Sequence, residues 1–96
     1  MATKIESMAL NVVLQLAKAY LMSAYRTDKV EIIGVGFDEE RPDREGERSL
    51  IVTACVMPEE ECFKTDRGTH QWVLTWDEEE CQFFQSYRLD QDEDNN

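Results

Sequence analysis

The feature that most constrains the fold is a long helical segment near the N-terminus whose apolar face is unusually wide. Residues 4–26 contain no Gly or Pro, are rich in Leu, Ala and Met, and end with a basic residue, which predicts one continuous helix. Its polar stripe comprises Lys4, Ser7, Asn11, Gln15, Lys18 and Arg26. The remaining arc, roughly two-thirds of the circumference, is apolar apart from Glu6 and Ser23, whereas a surface helix needs only about 100°. One face of a sheet cannot bury so wide an arc.

Three β-rich segments follow this helix and predict an antiparallel sheet. They are residues 29–37, 50–57 and 70–77, separated by a loop at 38–49 and by a short helical turn within 58–69. The connections are short enough for hairpins, so the strands should form a meander with the helix across one face. The predicted fold class is α+β: one long N-terminal helix packed on a three- to four-stranded antiparallel meander sheet.

Residues 78–89 fit either a fourth strand or a helix, and their aromatic density favours the strand. Strict alternation would then place Phe83, Tyr87 and Leu89 on one face and Phe84, Ser86 and Arg88 on the other. As a helix, the segment would start with a capping-box-like pair, Asp77 and Glu80. We predict a single domain at 1–89 and a disordered acidic tail at 90–96.

The first two strands are apolar on both faces, which raises the question of what covers the second face. In the first strand, alternation places Val30 and Ile32 opposite Ile33, Val35 and Phe37. A single helix covers one face only, so the other face either lies under the segment near 58–67 or meets another chain. We therefore expect a homodimer or a permanent partner.

The charge is strongly acidic and unevenly distributed along the chain. The 21 acidic residues outnumber the 10 basic ones and give a net charge of −11. Residues 1–36 carry four basic and three acidic residues, net +1, whereas residues 37–96 carry six basic and 18 acidic residues, net −12. Such a domain repels nucleic acid and anionic membranes and attracts basic protein surfaces. We expect a basic partner protein and no direct nucleic-acid binding; the alternative is that the charge only maintains solubility.

Targeting and redox signals favour a cytoplasmic protein. Polar residues, among them Glu6, Asn11 and Lys18, interrupt the apolar run at 5–25, so we expect neither a membrane span nor a signal peptide. The cysteines are odd in number and follow no disulfide-framework spacing; they are Cys55, Cys62 and Cys81. Reduced thiols of this kind are typical of the cytoplasm.

The sequence contains no constellation typical of an enzyme, metal or cofactor site. His70 is the sole histidine, and no local signature pairs it with Cys62 or Cys81. Zinc sites usually include a CxxC-type pair, which is missing, and the acidic tail lacks the glycine turn of a calcium loop. Gly34 and Gly36 precede acids, which favours a bulge or close packing over a phosphate cradle. We expect no catalytic residues, no metal and no cofactor.

The acids fall between strands, and two of these groups should meet at one end of the sheet. In a meander, the loops after the first and third strands lie at the same end. The candidate partner-binding residues there are Asp38, Glu39, Glu40, Glu45, Glu47, Asp77, Glu78, Glu79 and Glu80. Such carboxylates can mimic phosphates or meet Arg and Lys with charge-assisted hydrogen bonds, although Arg41, Arg44 and Arg48 could neutralise part of the field.

The sequence thus predicts a non-enzymatic protein-binding module that occupies a basic, in some cases nucleic-acid-binding, surface of a partner protein. In size and charge alone, it resembles small phage-encoded inhibitors and nucleic-acid mimics. One alternative is a homodimeric adaptor or chaperone-like protein that binds through its apolar helix and sheet surfaces. Another is a small-ligand-binding domain lined by Trp72, Trp76 and Phe83, although core packing is the favoured interpretation of the two Trp residues.

Overall fold

The structure, a computed structural model, describes residues 3–38 and 47–89 and confirms the predicted α+β fold. One long helix, α1 (Leu10–Tyr25), packs on a four-stranded antiparallel sheet in which the strands lie in sequence order. The strands are β1 (Val30–Phe37), β2 (Glu47–Val56), β3 (Gly68–Asp77) and β4 (Gln82–Arg88). Two 3-10 turns complete the described fold, at Ile5–Ser7 and Glu61–Asp66. The predicted acidic tail at 90–96 lies outside the described residues.

The prediction of a single helix over residues 4–26 is wrong at its N-terminal end. A 3-10 turn occupies Ile5–Ser7, and Met8 and Ala9 adopt extended backbone angles before α1 begins. Tertiary contacts explain the break. Ile5 is fully buried in the core, and Trp76 Nε1 donates a hydrogen bond of 2.9 Å to the carbonyl of Thr3. The first residues are therefore held against the sheet instead of continuing along the helix axis.

The helix buries only a narrow part of its wide apolar arc. Val13, Ala17 and Leu21, four residues apart, are the buried residues of α1. Leu10 remains 62% exposed and Val12 37% exposed. The expectation that one sheet face cannot cover this helix is therefore met within the described part of the chain.

The core lies between α1 and one face of the sheet, which we call the core face. Fully or almost fully buried side chains from the three later strands form its centre: Leu50, Val52, Ala54, Val56, Trp72, Leu74, Trp76 and Phe83. The two indole N–H groups are satisfied, since Trp72 donates to the Tyr25 hydroxyl at 3.0 Å and Trp76 donates to Thr3. Core packing of both Trp residues, the favoured interpretation of the sequence, is what the structure contains.

Both edge strands contain a bulge, and each bulge overturns a face assignment based on strict alternation. In β1 the register shifts between Ile32 and Gly34, so that Val35 packs against the core on the same side as Ile32. A Cβ on Gly34 would meet no atom within 4 Å, so the glycine marks the bulge and not a close approach.

The bulge in β4 moves the aromatic side chains of that strand. The register shifts between Thr75 and Trp76, where Trp76 pairs with Phe83. Phe83 is consequently buried on the core face, whereas Tyr87 pairs with Val73 on the opposite, outer face. The predicted common face for Phe83 and Tyr87 is wrong, because a bulge adds one residue and reverses the alternation beyond it.

The segment between β2 and β3 does not cover the outer face. Phe63 stacks edge-on against Tyr25 at the end of α1, with ring centroids 5.1 Å apart. The carbonyl of Thr65 accepts a hydrogen bond of 2.9 Å from Arg88, which pairs with Trp72 on the core-face side of β4. This segment therefore packs on the same side of the sheet as α1 and does not cover the outer face.

Two further observations concern membrane and redox chemistry. Among the described residues, no helix combines the length and apolarity needed to cross a bilayer. All three cysteines are free thiols, with Cys62 and Cys81 exposed and Cys55 half-buried.

Candidate functional site

The described acidic residues that follow β1 and β3, together with Glu47 at the start of β2, gather at one end of the sheet, as the meander requires. Glu47 lies directly opposite Asp77 in the β2–β3 register, and the amide of Asp38 donates to the carbonyl of Ser49 at 3.0 Å. The turn from β3 to β4 adds Glu78, Glu79 and Glu80. We call this surface the acidic end and define it by Asp38, Glu47, Asp77, Glu78, Glu79 and Glu80. The other predicted members, Glu39, Glu40 and Glu45, lie outside the described residues.

A fixed turn presents the three consecutive glutamates. The Asp77 carboxylate accepts backbone hydrogen bonds from Glu79 at 2.9 Å and from Glu80 at 3.2 Å. The amide of Cys81, which has a left-handed φ of 57°, returns to the Asp77 carbonyl at 2.8 Å. Asp77 thus serves the turn itself, as Asx side chains commonly do. The backbone of Glu79 and Glu80 is held in place while both residues stay exposed.

The N-terminal segment also holds the turn between β3 and β4 in place. The amide of Thr3 donates to the carbonyl of Glu78 at 2.9 Å, and Trp76 holds the Thr3 carbonyl from the core. Because a buried indole and a backbone bond converge on this segment, the acidic end is attached to the hydrophobic core. No sequence pattern indicated this attachment, since residues 4–26 were predicted to form one helix.

Arg48, one of the three arginines expected near this end, is already engaged within the protein. Its guanidinium donates to the Asp38 carbonyl at 2.7 Å, lies 5.3 Å from the Phe37 ring centre, and has its Nε 2.8 Å from a carboxylate oxygen of Glu6. The Nε atom makes no hydrogen bond of acceptable geometry, so its contact with Glu6 is an ion pair without a well-aligned hydrogen bond. Arg41 and Arg44 lie outside the described residues.

Glu6 also belongs near the acidic end, although the sequence placed it on a helix. Including Glu6, the described residues there provide seven carboxylates, and Lys4 and Arg48 provide two cations, which gives a net charge of −5. The surface is therefore strongly negative after its internal ion pair is counted.

The opposite end of the sheet also carries acids, and the four in the segment between β2 and β3 have cationic partners, whereas Asp28 forms no ion pair within the described residues. Glu59 pairs with Lys29 at 3.1 Å, Glu60 pairs with Arg26 at 3.2 Å, and Asp66 pairs with Arg88 at 2.9 Å. Glu61 lies 3.5 Å from Lys64. In contrast, the carboxylates of Glu78, Glu79 and Glu80 form no ion pair within the described part of the chain. The two acidic regions thus differ in how many of their carboxylates form ion pairs.

The outer face of the sheet is a second surface with exposed apolar side chains. Ile33 is 59% exposed at the β1 bulge and Tyr87 is 52% exposed on β4. Phe84 and Leu89, also on or just after β4, are each 42% exposed. This surface corresponds to the second apolar face that the sequence predicted.

The other residues considered from the sequence are not assembled into a chemical site. The Nε2 atom of His70 donates a hydrogen bond of 3.0 Å to the Arg67 carbonyl, and the ring packs edge-on against Trp72. Within residues 3–38 and 47–89, no three His, Cys, Asp or Glu side chains are grouped to hold a metal ion. Trp72 and Trp76 are buried in the core.

Comparison of the chain with protein-family models, with curated protein sequences and with solved structures found no match.

Proposed function

We propose that the protein is a non-enzymatic binding module whose acidic end occupies a basic surface of a partner protein. One observation carries this proposal: Glu78, Glu79 and Glu80 sit on a fixed turn and form no ion pair within the described residues, while all four acids of the segment between β2 and β3, at the opposite end, are paired with Lys or Arg. If the acids served solubility only, no such difference between the two ends would be required.

The fixed turn gives these carboxylates a physical advantage as ligands for Arg and Lys. A charge-assisted hydrogen bond is roughly twice as strong as a neutral one, and a positioned backbone loses less conformational freedom on binding. The net negative field also speeds the encounter with a basic surface and disfavours acidic ones. Both effects favour a basic partner, and the field itself opposes direct contact with nucleic-acid phosphates.

A basic surface that normally binds nucleic acid is the partner type we favour. Glu47 and Asp77 lie opposite each other on adjacent strands, and Glu78, Glu79 and Glu80 follow in the turn, so several carboxylates are concentrated at one end of the sheet. Such a concentration can take the place of phosphates on the partner, which would make the protein an inhibitor of nucleic-acid binding.

The test is capture of partners by the tagged full-length chain at about 0.05 M and about 0.5 M NaCl, where the Debye length falls severalfold. The test variant carries Glu78→Lys, Glu79→Lys and Glu80→Lys. The matched control carries Glu59→Lys, Glu60→Lys and Glu61→Lys, which gives the same net charge at the opposite end of the sheet. We expect a basic protein that the wild type and the control retain, that salt releases, and that the test variant does not capture.

Two results would contradict the acidic-end proposal. Equal loss of the partner in both variants would show that net charge alone is responsible. Capture that is unchanged in both variants and resistant to salt would direct attention to the apolar surfaces.

A second candidate function, a homodimeric adaptor, is favoured by the open outer face. Its exposed apolar side chains include Ile33 and Tyr87, and no described helix lies over them. Sedimentation equilibrium distinguishes this function, because a dimer held by this face would persist in salt and would dissociate on Ile33→Lys. A monomer at all concentrations would exclude it.

A further inference from the structure

A groove between α1 and the start of β4 opens beside the acidic turn. One wall is the helix flank formed by Leu16, Ala19 and Tyr20, and Trp76 and Phe83 also line the groove. Tyr20 and Phe83 stand edge-to-face with ring centroids 6.1 Å apart, and Phe83 does the same with Trp76 at 5.1 Å. The groove is thus lined by aromatic rings that the core already holds in place.

The size of the groove suits one apolar side chain and not a whole small molecule. Its volume is about 260 Å³. Small-molecule sites usually enclose about 300–1,000 Å³ and surround most of their ligand. A shallow groove of this volume instead resembles the pockets that receive a buried anchor residue at protein interfaces.

The apolar surface continues from the groove along the helix. Val12 lies one turn before Leu16 on the same flank and is 37% exposed. Lys18 lies on the other flank, since it is two residues from Leu16 and from Tyr20 on a helix that turns 100° per residue. Lys18 is next to Ala19 in the chain, but it points away from Leu16 and Tyr20, so the part of the flank that borders the groove is apolar.

The opposite wall is continuous with the acidic turn, which indicates the charge of the occupant. Cys81 and Gln82 close the groove and directly follow Glu79 and Glu80 in the chain. The turn is fixed through Asp77, so the backbone of Glu79 and Glu80 is held next to the groove residues Cys81 and Gln82. A segment with an apolar side chain flanked by Lys or Arg complements both features, whereas an acidic segment would be repelled.

From this juxtaposition we propose that the groove is the anchoring site for the basic partner: an apolar or aromatic side chain of the partner enters between α1 and β4, and adjacent Lys or Arg side chains bind Glu79 and Glu80. The inference rests on the proposed function and names the partner segment as amphipathic and basic. Charge supplies the orientation and the rate of encounter, and the buried anchor supplies the specificity.

The experiment selects short peptides from a random mRNA-display library against the immobilised full-length chain and measures the binding of the enriched peptides by fluorescence anisotropy. We expect enriched sequences with one large apolar residue flanked by Lys or Arg. Ala19→Trp, which fills the groove from an exposed position, should weaken their binding by about tenfold or more. Glu79→Lys with Glu80→Lys should weaken it similarly.

The control for the groove is Asn11→Trp. Asn11 is exposed, lies on the side of α1 opposite Tyr20, and is separated from Ala19 by more than two turns of the helix. It adds the same indole to the same helix and should leave peptide binding unchanged. Near-ultraviolet circular dichroism and thermal unfolding check that both Trp variants keep the fold.

The outcomes separate this inference from the proposed function. Peptides that lose binding to Glu79→Lys/Glu80→Lys but bind Ala19→Trp normally would overturn the groove and leave the acidic end as the binding surface. Enriched peptides without basic residues, or a selection that enriches no sequence, would overturn the inference. A dimer of the chain that dissociates on Ala19→Trp would also overturn it, by assigning the groove to a second copy.

Discussion

At the scale of single residues, Tyr25 joins more elements than any sequence pattern indicated. Its hydroxyl accepts the Trp72 indole N–H at 3.0 Å, and its ring packs edge-on against both Trp72 and Phe63. Asp66, which interacts with the Tyr25 hydroxyl, is held by Arg88 at 2.9 Å. Tyr25 therefore connects the end of α1 with the segment before β3 and with the last two strands.

Removal of the Tyr25 hydroxyl tests this junction. Tyr25→Phe keeps the ring but leaves the buried Trp72 N–H without its acceptor, so we expect the free energy of unfolding to fall by about 1–2 kcal/mol. Urea denaturation followed by Trp fluorescence measures the change. Tyr87→Phe is the control, because Tyr87 is exposed on the outer face and should shift the midpoint very little.

The raised pKa of Tyr25 also predicts how the stability of the protein depends on pH. Burial raises the pKa of Tyr25 above its ordinary value of 10.0, and the hydrogen bond from Trp72 acts in the opposite direction. A raised pKa means that the folded state holds the proton more firmly, so this stability is present below about pH 10 and is lost as pH rises through the folded-state value. The free energy of unfolding, measured from pH 8 to pH 11, should fall more steeply in the wild type than in Tyr25→Phe. The same pH dependence in both proteins would contradict this prediction.

At the scale of elements, the ends of the helix and the bulges of the edge strands determine the geometry. α1 ends at Arg26, which adopts a left-handed conformation with φ of 54° and ψ of 46° and donates its amide to the Met22 carbonyl. Glycine is the usual residue at this kind of helix end. The exposed pair between Arg26 and Glu60, with 3.2 Å between charged atoms, contributes little in compensation.

Arg26→Gly should therefore stabilise the protein. Relief of the left-handed backbone is worth about 1–2 kcal/mol, and the extra freedom of glycine in the unfolded chain offsets about half of it, so we expect a gain of about 0.5–1 kcal/mol. Arg26→Ala is the matched control: it removes the same ion pair without relieving the backbone. Chemical denaturation of the three proteins decides the matter, and equal stabilities for the Gly and Ala variants would be the contrary result.

At the scale of the whole molecule, the distribution of charge sets both stability and partner choice. A net charge of −11 on 96 residues creates repulsion that the compact state feels more than the unfolded chain. The four acids within residues 57–67 are paired, whereas the acidic end concentrates seven carboxylates and two cations. Repulsion should therefore arise chiefly at the acidic end.

Screening this repulsion should raise the thermal midpoint. NaCl increased from about 0.02 M to about 0.5 M reduces the Debye length from roughly 20 Å to about 4 Å. If screening contributes about 1 kcal/mol, the midpoint should rise by about 4–8 °C for a domain of this size. The variant Glu78→Lys/Glu79→Lys/Glu80→Lys has a net charge of −5, since three reversals add six charges to −11, and should show a smaller rise. Differential scanning calorimetry gives both values; the same rise in the two proteins would place the repulsion elsewhere.

Several features of the fold could be predicted from the sequence because they depend on local patterns. The absence of Gly and Pro near the N-terminus predicted the helix, and the β-rich composition predicted the three strands β1, β2 and β3. Chain order and short connections predicted the meander. The same topology predicted that Glu47, Asp77 and the following glutamates would share one end of the sheet.

Other features depend on contacts between distant residues, which local patterns do not contain. Only the packed structure shows that Thr3 contacts Trp76 and that Ile5 is buried in the core. These contacts delay the start of the helix to Leu10 and bring Glu6 to Arg48. Alternation has a period of two and cannot register an added residue, so the bulges that move Val35 and Phe83 to the core face were invisible. Local patterns were thus sufficient to predict the fold class and the concentration of negative charge at one end of the sheet. Which acids form ion pairs, and which apolar side chains line a groove, followed only from the packed fold, because both depend on where distant segments come to lie.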